Sequence, residues 1–375
     1  MKSFKAGTYI TQDGYKSFQP NPINRQWMLD NMEVLEMLGR ADRELGRLDM
    51  FSGCVPNIDL FISMHVIKEA TQSSRIEGTQ TNIREALLDK EDLPPESRDD
   101  WDEVQNYIRA LHTAIADLQT LPFSSRLIRN THKVLLKGVR GKHKSPGEFR
   151  KSQNWIGGST LKNAVFIPPI HSFVGELMSD LEKFIHNESI YFPELLRIAL
   201  VHYQFETIHP FLDGNGRVGR LLITLYLVSR GILKNPVLYL SDFFEHNRSQ
   251  YYDKLTQARE NDDISGWFKF FLSGIIETAQ NGIKTFDNIL RLQKSVETSL
   301  QTLGSRAANA QKVMQSLYKK PITNAAKVTE VAGISNASAY KLIASLEKLG
   351  ILNETTGGKR GRTYEFTNYL KLFSE

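Results

Sequence analysis

Cysteine is nearly absent from this sequence of 375 residues, in which Cys54 is the only example. One thiol can form neither an internal disulfide nor a zinc site built from several cysteines, so both kinds of scaffold are excluded. Because chains without disulfides suit reducing compartments, we expect a cytoplasmic protein.

Long apolar runs are also missing. The longest one, 221–228, is far shorter than the roughly 20 apolar residues that a helix needs to cross a bilayer. Residues 1–15 are polar and mixed, so we expect no signal peptide. The sequence therefore predicts a protein that has no membrane partner.

Neither sign of charge is in strong excess. The formal net charge is +5, which allows a nucleic-acid partner but does not by itself indicate one. Hydrophobic residues make up 41% and charged residues 24%, the proportions of an ordinary globular protein. The length is sufficient for two or three domains.

Most of the chain has apolar residues three and four positions apart, the spacing of amphipathic helices. We expect helices at 27–47 and 102–118, after an irregular arm over residues 1–25. The segment 154–169 differs, because two β-prone runs flank a turn rich in Gly, Ser and Asn before a proline pair. That pattern predicts a β-hairpin. The predicted fold class is therefore mainly α.

The final segment, 308–375, reads as helix, turn, helix, helix and hairpin, the order of a winged helix-turn-helix. Ser335 is a suitable N-cap and Gly350 a suitable stop for a helix over 336–349. Apolar residues recur along that helix every three or four positions, which predicts one buried face.

Positive charge is concentrated in this segment. Nine Lys or Arg stand against three Glu between 310 and 362, and Lys359, Arg360 and Arg362 fall at the predicted wing. Such clustering fits contacts with DNA phosphates. A module for protein interaction or dimerisation is the alternative reading of the same fold.

The densest polar cluster runs from His209 to Arg220 and reads His-Pro-Phe-Leu-Asp-Gly-Asn-Gly-Arg-Val-Gly-Arg. It lies between two apolar helical segments, so it forms a loop that opens into a buried helix. Gly214 and Gly216 let the backbone bend and approach a ligand closely. The free amides and the dipole at the start of the following helix form an anion site.

The side chains of the cluster predict a phosphate-transfer site. Arg217 and Arg220 are three residues apart, so both can face one polyphosphate with bidentate hydrogen bonds. Asp213 offers a hard oxygen ligand for Mg²⁺, and His209 can accept a proton near neutral pH. The plainer alternative is an ordinary turn beside a structural histidine.

Two other nucleotide motifs are excluded here. The run 214–219 matches a dinucleotide-binding fingerprint in its letters, but that motif needs a preceding strand, and the segment before it is helical. The sequence also has no Gly-Lys-Ser/Thr, so it has no Walker P-loop.

The cluster resembles the signature of Fic-domain proteins, His-x-Phe-x-Asp/Glu-Gly-Asn-Gly-Arg-x-x-Arg, with every fixed position present. The similarity extends to 147–150, to 154–169 and to Tyr251-Tyr252. It covers about 120–280 well and the preceding helices more loosely. The resemblance implies the Fic fold, with 154–169 as its flap.

The resemblance also implies an activity, the transfer of AMP from ATP to a Ser, Thr or Tyr hydroxyl of a target protein or of the protein itself. His209 would be the base, Asp213 would hold Mg²⁺, and the flap would hold the target as an added strand. Residues implied to bind ATP or its phosphates are Gly214, Asn215, Gly216, Arg217, Gly219, Arg220, Tyr251 and Tyr252.

An upstream segment resembles the inhibitory motif Ser/Thr-x-x-x-Glu-Gly/Asn of some Fic proteins. Ser73, Glu77 and Gly78 occupy its fixed positions. Ser73 and Glu77 are four apart and would share one helix face. By this resemblance Glu77 pairs with Arg220 and blocks the seat of the γ-phosphate. The alternative is a solvated helical glutamate.

These readings divide the chain into four parts. They are an N-terminal helical region at 1–120 with the inhibitory motif at 73–78, a Fic core at 121–280, a connecting helix at 281–307 and the winged helix-turn-helix at 308–375. The family resemblance also favours a homodimer.

Three functions compete. The first is an autoinhibited adenylyltransferase, and the second is a DNA-binding regulator whose Fic-like core senses nucleotide. The third is another Fic reaction, either removal of AMP or transfer of another phosphate group. The intact His209 favours an enzyme, because a pure sensor needs no base.

Overall fold

The computed structural model describes residues 4–55, 57–358 and 361–374. Its architecture is mainly helical, as predicted, with two small antiparallel sheets. Within those ranges no helix is both long and apolar enough to span a membrane. The α-helices before residue 302 are α1 (Met32–Cys54), α2 (Ile58–Ile76), α3 (Ile83–Leu87), α4 (Arg98–Asp117), α5 (Ser125–Leu135), α6 (Val174–His186), α7 (Glu194–Ile208), α8 (Asn215–Ser229), α9 (Ser241–His246), α10 (Arg248–Asn261) and α11 (Ile264–Gln301).

The N-terminal arm is a β-hairpin rather than the irregular segment that the sequence predicts. Strands β1 (Gly7–Thr11) and β2 (Lys16–Pro20) pair antiparallel in register. Phe18 is 1% exposed and its backbone N–H donates to the Ile167 carbonyl at 2.9 Å. The hairpin was missed because its apolar contacts lie in a distant segment, and strand formation depends strongly on such partners.

The predicted helix at 27–47 begins and ends later, as α1. Asn31 caps it by accepting the N–H of Val34 at 3.1 Å. Trp27 lies before the helix, where its indole N–H donates to the Ile23 carbonyl at 3.0 Å and its ring packs 5.9 Å from Phe4. An N-cap asparagine therefore sets the boundary that apolar spacing alone placed too early. The helix predicted at 102–118 begins one turn earlier, as α4.

The flap at 154–169 turns back on itself, but it is not a regular hairpin. A single bridge joins Ile156 and Phe166, and a short 3-10 turn occupies Leu161–Asn163. Gly157 and Gly158 have φ of +67° and +69°, a left-handed backbone that cannot continue a strand. The predicted ladder is thus reduced to one pair.

The core is built around α7 and α8, which pack against each other and are buried along almost their whole length. α11 is a single helix of 38 residues that packs along α1. The connecting helix predicted at 281–307 is the second half of α11, followed by a 3-10 turn at Gly304–Arg306. α11 contains no proline, so nothing in its sequence separates the two halves.

The elements of the C-terminal module include the predicted helices and hairpin in order, together with a short strand and a final helix that the sequence did not predict. They are α12 (Ala307–Lys319), β3 (Ile322–Asn324), α13 (Ala325–Ala332), α14 (Asn336–Lys348), β4 (Asn353–Glu354), β5 (Thr363–Glu365) and α15 (Thr367–Ser374), with strand order β3-β5-β4. Ser335 caps α14 by accepting the Ser338 N–H at 3.3 Å. Lys359 and Arg360 lie outside the described residues, and the winged-helix assignment stays a prediction.

This module packs directly on α2. Phe61 of α2 meets Tyr318 edge to face, with ring centroids 5.6 Å apart. His65, one turn later, meets Phe373 in the same way at 5.1 Å. Two ion pairs flank these contacts, Lys320 with Asp89 at 2.7 Å and Arg84 with Glu365 at 2.9 Å.

Candidate active site

His209 ends α7 in a left-handed conformation, with φ 50° and ψ 60°. Its N–H closes the helix by donating to the Phe205 carbonyl at 2.9 Å. The residue is partly exposed, but Nδ1 is buried and has no hydrogen-bond partner in the described part of the chain. Burial lowers the pKa of His209 to about 4, with Glu77 opposing and Arg150 adding to the shift. The imidazole is therefore neutral at pH 7 and able to accept a proton.

The loop after His209 is fixed by side chains on both sides. Asn215 accepts the Phe211 N–H and donates to the Phe211 carbonyl, both at 2.8 Å. His132 of α5 stacks on the Phe211 ring, with centroids 3.7 Å apart, and its Nε2 lies 3.0 Å from the Asp213 carbonyl. The Asn215 side chain is thus a loop anchor, which leaves only its backbone amide for a phosphate.

The start of α8 has the geometry of an anion site. Gly214 is the N-cap residue with φ +75°, and its N–H donates to Asp213 Oδ1 at 2.6 Å. The first amides of a helix have no partners within the helix, and its dipole favours negative charge there. Residues 215–217 therefore present free backbone donors, while the Gly214 N–H is bonded to the neighbouring Asp213 carboxylate.

Asp213 is the residue that could hold a metal ion. Its side chain is 39% exposed, beside the amides of the first turn of α8. The ranges that the structure describes contain no group of three or more His, Cys, Asp or Glu arranged for a metal. One accessible carboxylate fits Mg²⁺, which usually binds one or two carboxylates together with substrate phosphates.

Arg217 is oriented by a residue that the sequence did not indicate. Its Nη1 donates to Glu103 of α4 at 2.9 Å, and both side chains are 5% exposed. Glu103 also accepts from Arg140 at 2.6 Å. Glu103 belongs to a helix far away in the chain, so no local pattern could mark its role.

Arg220 is held by both residues of the upstream motif. Its Nε donates to Ser73 Oγ and its Nη2 to the Ser73 carbonyl, each at 2.8 Å. Nη2 also donates to Glu77 Oε1 at 2.6 Å. The structure therefore brings together the three residues that the two separate motifs predicted.

Glu77 fits against α8 because residue 216 is a glycine. A Cβ atom on Gly216 would lie 2.2 Å from Glu77 Oε1 and 2.9 Å from Arg220 Nη1. Burial alone would raise the pKa of Glu77, but the Arg220 guanidinium outweighs it and holds the pKa below its ordinary value. Glu77 therefore enters the site as a carboxylate.

A second carboxylate lies beside Arg220. Glu206 of α7 is 7% exposed, and a Cβ on Gly219 would lie 2.2 Å from its Oε1. Burial raises the pKa of Glu206 to about 7, against the pull of Arg220, and Glu77 raises it further. Gly219 thus makes room for a carboxyl group that the sequence analysis missed.

The tyrosine pair divides between core and surface. Tyr251 is 1% exposed, stacks on Phe244 at 4.6 Å and shares a hydrogen bond of 2.9 Å between its hydroxyl and His202 Nε2. Tyr252 is 40% exposed. Only Tyr252 therefore has an accessible ring at the position where the resemblance implies adenine contacts.

Together these residues can bind and transfer a phosphate group. A neutral imidazole, an accessible carboxylate, the donors of a helix N-terminus and two arginines converge on one loop. General base, cation ligand and charge neutralisation are the parts that phosphoryl-type transfer requires.

Two family descriptions match this chain. The Fic/DOC family N-terminal description matches residues 35–116, and the Fic/DOC family description matches residues 122–227. The second match contains His209, Asp213 and both arginines of the loop.

The curated relatives that this chain resembles are named protein adenylyltransferases. The chain is 35% identical over 117 residues to "Protein adenylyltransferase Fic" of Aedes aegypti, covering 31% of this chain and 21% of that protein. It is 32% identical over 270 residues to the protein of the same name from Drosophila mojavensis, covering 66% and 49%. A probable protein adenylyltransferase of Aquifex aeolicus is 32% identical over 155 residues, covering 40% and 44%. The chain thus spans between a fifth and a half of the length of these relatives.

Solved structures share the fold. A Fic family protein from Desulfovibrio desulfuricans superposes with a TM-score of 0.57 at 19% identity, over 91% of this chain and 98% of that one. Fic-1 from C. elegans superposes with a TM-score of 0.53 at 20% identity, over 70% and 74%. The first of these superpositions covers nine tenths of this chain.

Proposed function

Because this chain belongs to the Fic/DOC family, we propose that it is a protein adenylyltransferase, a nucleotidyltransferase whose substrates are ATP and a protein hydroxyl. The observation that carries the proposal is the convergence of His209, Asp213, Arg217 and Arg220 on the loop that opens α8. We infer a cytoplasmic protein from its single, exposed and unpaired cysteine.

In the proposed reaction, His209 takes the proton of a Ser, Thr or Tyr hydroxyl of the target. The oxygen attacks the α-phosphorus in line, the bond to the bridging oxygen breaks, and pyrophosphate leaves with that electron pair. There are two products: the target protein with AMP joined to its hydroxyl oxygen by a phosphodiester bond, and free pyrophosphate. The amides of residues 215–217 stabilise the charge that develops on the phosphate oxygens.

The arginines and a bound cation would neutralise the triphosphate. We propose that Asp213 would hold Mg²⁺, which would supply positive charge beside the phosphates. Arg217, whose guanidinium is oriented by Glu103, is assigned to the β-phosphate. Arg220 is assigned to the γ-phosphate. Tyr252 is assigned to the adenine, while Tyr251 supports the site from the core.

The flap at 154–169 is proposed to receive the target segment as an added strand. Trp155 and Val165 are 40% and 79% exposed, so the flap offers apolar side chains beside its backbone groups. The backbone bond from Phe18 to Ile167 ties the flap to the N-terminal hairpin and occupies part of one edge.

Glu77 is proposed to act as a brake. It occupies Arg220 at 2.6 Å, so a γ-phosphate and Glu77 compete for one guanidinium. Its side chain is 34% exposed whereas that of Arg220 is 1% exposed, so the carboxylate is the partner that can leave.

The central experiment measures AMP incorporation from ATP labelled at the α-phosphate, with wild type, Glu77→Gly and Glu77→Gly/His209→Ala. We expect Glu77→Gly to label itself and lysate proteins at least about tenfold faster than wild type, which requires only about 1.4 kcal/mol. The double variant should bind ATP without labelling. Equal labelling by wild type and Glu77→Gly would disprove the brake, and labelling by the double variant would disprove the role of His209.

The same labelling experiment separates AMP transfer from other Fic reactions. Label from the γ-phosphate in place of the α-phosphate would mean phosphate transfer. If an AMP-modified target loses its label, and if that loss requires Glu77, the reaction is removal of AMP. A carboxylate in that position could orient the attacking water.

A DNA-binding role for 308–375 is a second proposal, favoured by the free face of α14. Tyr340 is 49% exposed and Lys341 and Lys348 are exposed, while the opposite face of the helix is buried. We expect duplex DNA to bind with an affinity that falls steeply with salt, and Lys341→Gln to reduce that slope by about one. If the module serves dimerisation instead, the protein should bind no DNA, and its apparent molecular mass in solution should rise with protein concentration.

A further inference from the structure

The buried guanidinium of Arg150 holds the backbone of the catalytic loop and one end of the flap. Arg150 is 2% exposed and follows α5 in a loop. Its side chain donates to four carbonyls, those of Ser152, Pro169, Ile208 and His209, at 3.3, 2.5, 3.3 and 3.0 Å. Its backbone N–H donates to the Pro210 carbonyl at 2.8 Å.

Arg150 makes these bonds at an electrostatic disadvantage. No carboxylate within the described ranges forms an ion pair with it, and burial lowers its pKa to about 10. A buried cation without an anionic partner is unfavourable unless its hydrogen bonds are well satisfied. Arginine suits this position because its planar fork can serve several carbonyls at once.

His209 depends on such support. Its backbone is left-handed, a conformation that is unfavourable for a residue with a side chain unless the surroundings impose it. The buried Nδ1 has no side-chain partner within the described residues, and the group that acts on the ring there is the backbone of Glu206, in the same helix. The His209 carbonyl instead accepts from Arg150 and, at 3.3 Å, from the Asn154 side chain. The orientation of the imidazole is therefore set through the backbone.

The same two side chains stand at the two ends of the flap. Asn154 begins it and also donates to the Phe211 carbonyl at 2.8 Å. Arg150 holds the carbonyl of Pro169, where the flap ends. We propose that Arg150 is a positioning residue that couples the seating of a target segment on the flap to the orientation of the His209 imidazole. This inference rests on the proposed function.

The test compares Arg150→Lys with Arg197→Lys, both in a Glu77→Gly background. Arg197 is a matched control, because it is 3% exposed and donates to the Phe184 and Ile190 carbonyls at 2.6 Å, away from the loop. We expect Arg150→Lys to lower kcat by about tenfold to a hundredfold and to raise KM for the target, since small misplacements of reacting groups are costly. ATP affinity should stay within about twofold, because the phosphate donors lie on α8. Arg197→Lys should lose thermal stability with kcat unchanged.

Hydrogen exchange on the full chain supplies a measurement that does not need activity. Arg150→Lys should raise exchange in 154–169 and in 209–213 together, and Arg197→Lys in neither. Equal losses of kcat in both variants, or a loosened flap with 209–213 unchanged, would overturn the coupling. If Glu77→Gly transfers no AMP at all, the proposed function fails, and the exchange pattern still decides whether the two segments are coupled.

Discussion

His209 joins two conditions that a general base needs, since it is neutral at working pH and lies beside the phosphate donors of α8. Its pKa of about 4 results first from burial, which disfavours the imidazolium. The charged groups that face it act in opposite directions, because Glu77 raises the pKa whereas Arg150 and Arg259 lower it. Removing Glu77 should therefore shift the pKa further down.

A pH profile of AMP transfer checks this environment. The base form of His209 is present above its lowered pKa, so kcat/KM of Glu77→Gly/Glu206→Gln, which lacks the neighbouring carboxyl of pKa about 7, should be flat from about pH 6 to 8 and fall only as pH drops toward about 4. A fall centred near the ordinary histidine value of about 6.5 would contradict a buried imidazole.

Glu103 is the clearest case of a site residue that acts through another. Glu103→Gln removes the carboxylate that pairs with Arg217 at 2.9 Å in a buried setting. Breaking such a pair costs about 3–5 kcal/mol when the other charge stays buried, so the melting temperature should fall. We also expect ATP to bind more weakly, as measured by calorimetry. Asp100→Asn is a suitable control, because Asp100 pairs with Arg140 at 2.8 Å but makes no ion pair with Arg217.

At the scale of the element, α2 presents a polar stripe to the core at every fourth residue. Glu69 accepts from Tyr107 and Ser241 at 2.6 Å, and Ser73 and Glu77 hold Arg220 farther along. Residues four apart share a helix face, so α2 and its C-cap residue Glu77 place all three groups in line.

Ser73→Ala should weaken the proposed brake. Without Oγ, the Arg220 Nε–H loses its acceptor at 2.8 Å in the conformation that Glu77 stabilises. One net hydrogen bond is worth about 1 kcal/mol, so AMP incorporation should rise about fivefold. Ser73→Thr keeps the hydroxyl and should behave as wild type. A lower rate in Ser73→Ala would contradict the role of Ser73 in inhibition.

The elements show which features a sequence can predict. Long amphipathic helices such as α1 and α4 carry their own periodic signal, so they were found with errors only at the ends. The β1–β2 hairpin was not found, because Phe18 is buried against the flap and that partner is invisible to a local pattern. The flap was recognised as a reversal, but its two left-handed glycines leave one bridge where a ladder was expected.

The same distinction holds for the site. The residues 209–220 lie in one short run, so their chemistry could be read directly, and the pairing of Glu77 with Arg220 followed from a family resemblance. Glu103 and Glu206 act by supporting the run, and so does Arg150, which the resemblance over 147–150 included without giving it a role. Their positions depend on tertiary packing, for which the sequence offers no spacing rule.

At the scale of the whole molecule, the C-terminal module and the active site contact the same helix from opposite ends. Phe61 and His65 of α2 pack on the module, while Ser73 and Glu77 face Arg220. Because a helix moves largely as one body, the contacts of α2 with the C-terminal module should affect the ion pair between Glu77 and Arg220 at its other end.

Removing the two flanking ion pairs tests this connection. In Arg84→Ala/Lys320→Ala each lost pair is partly exposed and worth up to about 1 kcal/mol, so the two together should raise AMP transfer by up to about thirtyfold. The same double change in a Glu77→Gly background should have no effect, because the brake is already absent. A rise of equal size in both backgrounds would mean that the module acts on catalysis directly.

α11 extends through most of this arrangement. Its 38 residues span about 57 Å, packing on α1 and α7 in the core and on α12 and α15 in the module. The two parts of the protein are therefore joined by one continuous helix, whereas many multidomain chains have a flexible linker between their domains. Calorimetry should record one melting endotherm for the entire chain. A break in α11 near residue 282 should abolish the cooperative melting of the two parts.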